Sequence, residues 1–300
     1  MALELLCGNE SLKQSLSAAL AAGRLAHSVL LCGEAGTGAG FAARCLAADD
    51  LYPQGGEGAK AILEGRSPEV LVLAGSGAMG DIKIDDVRAV RREVYNTALS
   101  AGGRVVLVKG AHKLNASSAN ALLKVIEEPP EHVRFLFTAP GEAAVLPTIR
   151  SRCCVYSLAP VSEAACAAWL AQRFPAEKDS ARLAAIFGGK IGSAKKCIED
   201  PAARAALADA LKLAAACEKR DCYAALALLA RVEKDRAGAG LLLDMLCSVC
   251  AAALRGSGEV PVSPARAAAA IPAAGQASRA IAANGSVKLI GTCLAAQLTA

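Results

Sequence analysis

No apolar run in this 300-residue sequence is long enough to cross a bilayer. The longest, LLLDMLCSVCAAAL at 241–254, is interrupted by Asp244. The opening stretch, MALELLCGNESLKQ, lacks the basic start and following apolar core of a secretory leader. Basic residues are not clustered either. Lys and Arg are spread along the chain, so a net charge of +5 singles out no class of partner. These absences lead us to expect a soluble cytoplasmic protein that makes no use of a membrane. Internal repeats are also missing. His27 and His112 flank strand-like segments without a paired acid or nucleophile, so neither is assigned a catalytic role.

Cysteine is plentiful, at 12 residues, but metal-ligand spacing is not. The single C-x-x-C, Cys247 and Cys250, lies with Cys217 and Cys222 in alanine- and leucine-rich helical sequence. An i, i+3 pair shares one helix face, so all four read as core thiols rather than zinc ligands. Cys153 and Cys154 fall in a strand-like segment, where neighbours point to opposite faces, which argues against a redox pair.

What is present is an apolar chain, 54% by composition and rich in alanine, which favours helix. Through about residue 159, short Val- and Leu-rich runs alternate with helical segments. The runs are SVLLCG (28–33), EVLVLAG (69–75), RVVLVKG (104–110), VRFLFTA (133–139) and CCVYSL (153–158). Such runs suit strands buried on both faces of a parallel sheet. NASSANALLKVIEEPP predicts a helix capped by Asn115, with Ala119, Leu122, Leu123 and Ile126 on one face and Pro129–Pro130 as its stop. From Pro160 the pattern becomes helix after helix. One helix carries Cys166, Trp169 and Leu170 on one side; the next carries Leu183, Ile186 and Phe187 and stops at Gly188–Gly189; a short one lies near 194–199. A second helical block starts at Asp200–Pro201 and is broken near GSGEVPVSP (256–264). RAAAAIPAAG reads as a weak helix or a connection. The expected division is 1–159, 160–200 and 201–300.

One stretch poses the functional question. GEAGTGAG, residues 33–40, keeps the glycines of a phosphate-binding loop, Gly33, Gly36 and Gly38, but has Ala39 where the loop's Lys belongs and Gly40 where its Ser or Thr belongs. The acidic residue that would help hold magnesium should end a buried strand after the loop. The best such strand ends in Lys109–Gly110, without a carboxylate. A unit charge pair at about 4 Å is worth roughly 4 kcal/mol at an effective dielectric near 20. Losing the Lys alone therefore costs roughly a thousandfold in phosphate affinity. By itself the stretch could be an ordinary glycine turn.

RLAHSVLLCGEAGTG, ANALLKVIEEPP and FLFTAPGEAAVLPTIRSRC, in that order, resemble the clamp-loader branch of the AAA+ ATPases. The resemblance covers roughly residues 5–200. The last third matches in helical character, with NGSVKLIGTCLAAQL its most family-like piece. It implies an α/β AAA+ domain with a P-loop-type parallel sheet, a small helical lid at 160–200, and an all-α oligomerisation collar at 201–300. It also implies an answer to the missing Lys. In this branch ATP sits between neighbouring subunits, and a neighbour supplies an arginine from a Ser-Arg-Cys motif. By that resemblance Arg152, within Ser151-Arg152-Cys153, acts in trans on ATP bound elsewhere, and Gly33, Gly36 and Gly38 form a loop that no longer works. Taken alone, Arg152 would be read as a strand-end salt bridge.

The same resemblance implies a non-catalytic subunit of a replicative DNA polymerase holoenzyme. Its partners would be motor ATPase subunits and the delta subunit in a hetero-oligomeric ring, with the sliding clamp and primed DNA reached through the complex. Thr138 takes the sensor position, where here it serves to cap the following turn. Gly192 stands where motor subunits carry a sensor arginine. Family members usually have four zinc-binding cysteines after the loop. Only Cys45 is left in that interval, so neither zinc nor another cofactor is expected. Lys109, Lys113 and Lys124 suit either a DNA-facing surface or a solvated face. Two other readings are an active AAA+ motor with an unorthodox loop and a stand-alone AAA+-like DNA-binding scaffold.

Overall fold

The five Val- and Leu-rich runs form one sheet, and three of them, covered on both faces, make its centre. The computed structural model describes residues 1–75, 80–95 and 103–300. The chain divides into two units, Met1–Val161 and Ser162–Ala300. In the first, the order is α1 (Glu10–Ala21), β1 (Ser28–Cys32), α2 (Ala39–Leu51), α3 (Glu57–Leu63), β2 (Val70–Ala74), α4 (Ile84–Glu93), β3 (Arg104–Lys109), α5 (Ala116–Glu127), β4 (Val133–Ala139), α6 (Pro147–Arg150) and β5 (Cys154–Ser157). The strands pair in parallel in the order β2-β3-β4-β1-β5.

The two-residue period of a strand sorts the core into two layers. Val29, Leu31, Val105, Leu107 and Leu136 face one way, toward Leu16 of α1 and Leu46 of α2. Leu30, Val106, Val108, Phe135 and Phe137 face the other way, toward Leu122 and Ile126 of α5. The Phe135 and Phe137 rings stack at 6.3 Å. β1 is buried at all its positions, whereas the edge strands β2 and β5 are largely open. Charged residues also enter the sheet, Arg134 among them. Arg134 of β4 donates from Nε to Asp50 Oδ2 at 2.6 Å and from Nη1 to the carbonyls of Leu25 and Ala26.

Asn115 does cap α5: its Oδ1 accepts from the Ser118 N–H at 2.8 Å. The buried face differs from the expected one by one residue. Val125 is buried and Leu123 only half-buried, because the face drifts with the 3.6-residue turn.

The second unit consists of α7 (Glu163–Arg173), α8 (Ser180–Phe187), α9 (Ile191–Glu199), α10 (Pro201–Lys219), α11 (Cys222–Ala230), α12 (Arg236–Leu254), α13 (Pro264–Ala282) and α14 (Val287–Thr299). Ser162, Asp200, Asp221, Asp235 and Ser286 cap their helices through side-chain oxygens. α8 ends at Gly188, whose φ of 56° suits glycine. Gly192 lies in the first turn of α9.

Three expectations are corrected in this unit. RAAAAIPAAG is helix and not a connection: it lies inside the 19-residue α13, which continues through Pro272. Buried Ala267, Ala270, Ala274, Ala277 and Ile281 form one continuous face there, and that face outweighs one missing N–H. Cys222 is exposed at the first position of α11, whereas Cys217 and Cys250 are buried as read. The apolar run at 241–254 belongs to a longer helix, α12, which by length and composition alone could cross a membrane; half of its apolar window is buried inside the unit.

Candidate functional site

β1 delivers the glycine stretch to the start of α2. The Gly33 N–H donates to the Ala139 carbonyl at 2.9 Å, which fastens the loop to β4. A Cβ on Gly33 would stand 2.4 Å from Thr37 Oγ1, so only glycine fits. Thr37 folds back inside the loop: its N–H and its hydroxyl both donate to the Glu34 carbonyl, at 3.0 and 2.8 Å. Gly36 and Gly38 have φ of 88° and 101°, and Gly38 is the N-cap of α2. The loop thus turns through two positive-φ glycines directly into the first turn of α2. Ala39, at the first helical position, is buried and carries no charge to meet a phosphate.

The neighbouring strand ends are occupied by cations and closed hydrogen bonds. Lys109 of β3 is level with Thr138 of β4, and Leu31 of β1 lies on its other side. Burial, and then the nearby Arg44 guanidinium of α2, hold the Lys109 ammonium below the usual lysine range. Positive charge therefore stands where a metal-binding carboxylate would be needed. Thr138 is buried, and its Oγ1 accepts from the Gly110 N–H at 3.1 Å. The hydroxyl pins the turn after β3, not the turn after its own strand as expected from the sequence. Among the described residues no three His, Cys, Asp or Glu side chains converge as a metal site. Cys45 is a core thiol, pushed up to about 12 by burial.

Arg152 lies at the other end of the sheet. It precedes β5, whose Cys154 is level with Val29 near the start of β1, while the glycine loop leaves the far end of β1 at Gly33. The rise from Val29 to Gly33 is roughly 13 Å at about 3.3 Å per residue. Arg152 stands beyond the Val29 end. Its side chain is anchored there, on Glu127 at the end of α5 and on the carbonyl of Thr148 in α6. It is about a third exposed, with the guanidinium at the surface. Sequence reasoning missed Glu127, although it sits inside the quoted stretch KVIEEPP. It also missed Arg44. Lys113 is half-buried and Lys124 exposed.

A parallel sheet of this order, a glycine loop running into a helix after its β1 strand, and a following helical unit define a protein with an AAA+-type α/β domain. A DNA polymerase III gamma subunit-related protein from Thermotoga maritima has a similar fold. It is 20% identical with a TM-score of 0.55, and the match covers 95% of this chain and 98% of that one. The chain belongs to the family described as DNA polymerase III, delta subunit, whose sequence profile matches residues 8–162.

Among curated relatives, it is 34% identical over 174 residues to DNA polymerase III subunit delta' of Pseudomonas aeruginosa, covering 55% of this chain and 53% of that protein. It is 40% identical over 97 residues to subunit delta' of Haemophilus influenzae, covering 32% and 30%. Subunit gamma/tau of Mycobacterium tuberculosis is 35% identical over 152 residues, covering 48% of this chain and 26% of that protein. The chain thus spans about half, or less, of the length of the relatives it matches.

Proposed function

We propose that this chain is a non-motor, delta-prime-type subunit of a clamp loader that lends Arg152 to ATP bound by a neighbouring subunit. One observation carries the reading. The single arginine of the Ser-Arg-Cys motif is displayed at the end of the sheet opposite its own glycine loop, and that loop has Ala39 and Lys109 where a motor needs a cation and a carboxylate. An arginine so placed stands away from its own glycine loop, and in this reading it serves phosphates held by a neighbour. Arginine suits the role because it stays charged and can fork across phosphate oxygens.

In this reading the chain hydrolyses no ATP by itself and holds no zinc. It works in the cytoplasm within a hetero-oligomeric ring with motor ATPase subunits and a delta subunit. Residues 160–200 serve as lid and 201–300 as collar. The ring places a sliding clamp on primed DNA during replication. The test is ATP turnover by the purified chain alone, and by the chain mixed with the motor subunits, clamp and primed DNA. We expect no turnover alone, and a stimulated mixture that loses most of its activity with Arg152→Ala. Turnover by the isolated chain, or a mixture indifferent to Arg152→Ala, would refute it.

A further inference from the structure

The Arg152 guanidinium is held on two sides by its own chain. Nε donates to Glu127 Oε1 at 2.7 Å, and Nη2 approaches the same oxygen at 2.5 Å. Nη1 donates to the Thr148 carbonyl at 3.0 Å and lies 3.2 Å from Ser151 Oγ. Glu127 therefore takes the Nε edge of the fork and leaves the outer N–H of Nη2 facing away from it. Glu127 is itself fixed, as the last residue of α5, a helix whose opposite face is locked into the core through Ala119, Leu122, Val125 and Ile126.

Both side chains are part-exposed, 36% for Arg152 and 46% for Glu127. An ion pair this wet contributes little to folding. Its effect is on orientation. A free arginine spreads over many rotamers and must be ordered at the moment it meets a phosphate, whereas one already oriented is ordered beforehand. We infer that Glu127 is the positioning residue for Arg152: it presents the finger to the neighbour's phosphates without touching them. The inference rests on the trans-finger reading of the proposed function.

Both contacts converge on a single oxygen, Oε1, which gives the idea a specific signature. A glutamine keeps an acceptor at that place; an alanine does not. The experiment uses the assembled loader with clamp and primed DNA, and reads kcat and KM for ATP. We expect Glu127→Ala to lower kcat about 5–10-fold while KM for ATP moves less than about twofold. Glu127→Gln is expected to stay within about twofold of the parent. Adding Glu127→Ala to Arg152→Ala is expected to cost nothing further, because both act through one group.

Normal kcat for Glu127→Ala beside an impaired Arg152→Ala would overturn the role of Glu127 and leave the finger standing. A raised kcat would also overturn it, by showing that Glu127 restrains the arginine. A further loss in the double variant would mean that Glu127 acts through something else. An Arg152→Ala loader of unchanged turnover would bring down the finger and this inference together.

Discussion

Lys109 and Thr138 stand side by side at the ends of β3 and β4, and neither offers a carboxylate to a magnesium ion. The first is a cation, and the second already accepts from the Gly110 amide. Any attempt to restore the loop has to overcome both. Ala39→Lys alone is expected to yield no ATP hydrolysis, because it supplies a phosphate ligand without a metal ligand and adds a third cation near Lys109 and Arg44. Equilibrium dialysis of the parent chain with ATP is expected to give a Kd weaker than about 1 mM. Micromolar binding by the parent would show that the loop still holds a nucleotide without its Lys.

The charge at Lys109 also gives a pH signature. Burial and Arg44 lower its pKa in the folded chain. A lysine whose folded pKa is depressed penalises the native state while it is charged. That penalty is full below the folded pKa and disappears as pH climbs to the ordinary lysine value near 10.4. Lys109→Met removes it at every pH. We expect the variant to be more stable than the parent in urea at neutral pH, with the gap narrowing as pH rises toward about 10. A gap that stays constant with pH would show that the gain comes from packing and not from charge.

Arg134 and Asp50 join β4 to the end of α2 through a largely buried ion pair, 24% and 13% exposed. Arg134 also serves the Leu25 and Ala26 carbonyls just ahead of β1. Arg134→Ala leaves one carboxylate and two carbonyls without their donor. Each loss of this kind costs about 1–3 kcal/mol. We expect the first unit to melt several degrees lower in Arg134→Ala, and less so in Asp50→Asn, where the two carbonyl bonds persist. Thermal unfolding followed by circular dichroism distinguishes the two.

These cases show what could be read from the sequence and what could not. All five strands were legible, because short Val- and Leu-rich runs leave a local mark even at the open edges β2 and β5, and the ends found lie within two residues of those expected. α5 was legible through its cap and its prolines. Glu127 and Arg134 were not, because their partners lie 25 and 84 residues away and no periodicity connects them. Arg134 even sits in VRFLFTA, which reads as a plain apolar strand. The continuity of α13 was hidden by Pro272, whose local cost is visible in sequence while the alanine face that offsets it is tertiary. The absence of a Lys and a hydroxyl residue after Gly38 could be read from residue identity alone. What took their place, Arg44 beside Lys109, required the fold.

Asn115 offers a check on how firmly the positioning helix is anchored. Its side chain accepts from the Ser118 N–H at the start of α5, whose last residue is Glu127. Asn115→Ala is expected to cost about 1 kcal/mol, and Asn115→Asp or Asn115→Ser much less, since both keep an acceptor. Urea midpoints for the three variants measure this directly. Equal destabilisation by all three would mean that the Asn115 amide does more than cap.

The cysteines supply a last and independent test, since the fold assigns opposite fates to two adjacent thiols. Cys154 is exposed on β5, an edge strand, while Cys153 turns inward and is pushed up to about 12 by burial. Cys45 and Cys250 are buried and likewise pushed up to about 12. The thiolate is the reactive form, so a thiol that is both hidden and held protonated should not alkylate. With a maleimide-type or iodoacetamide-type reagent near about pH 8, Cys154, Cys222 and Cys293 are expected to react in the native protein. Cys45, Cys153 and Cys250 should react only after denaturant is added. Peptide mapping by mass spectrometry separates the sites. Native labelling of Cys153 at the pace of Cys154 would show that the edge of the sheet opens. Since Cys153 adjoins Arg152, it would also show that the segment holding the finger is not fixed in the way its bonds to Glu127 and Thr148 require.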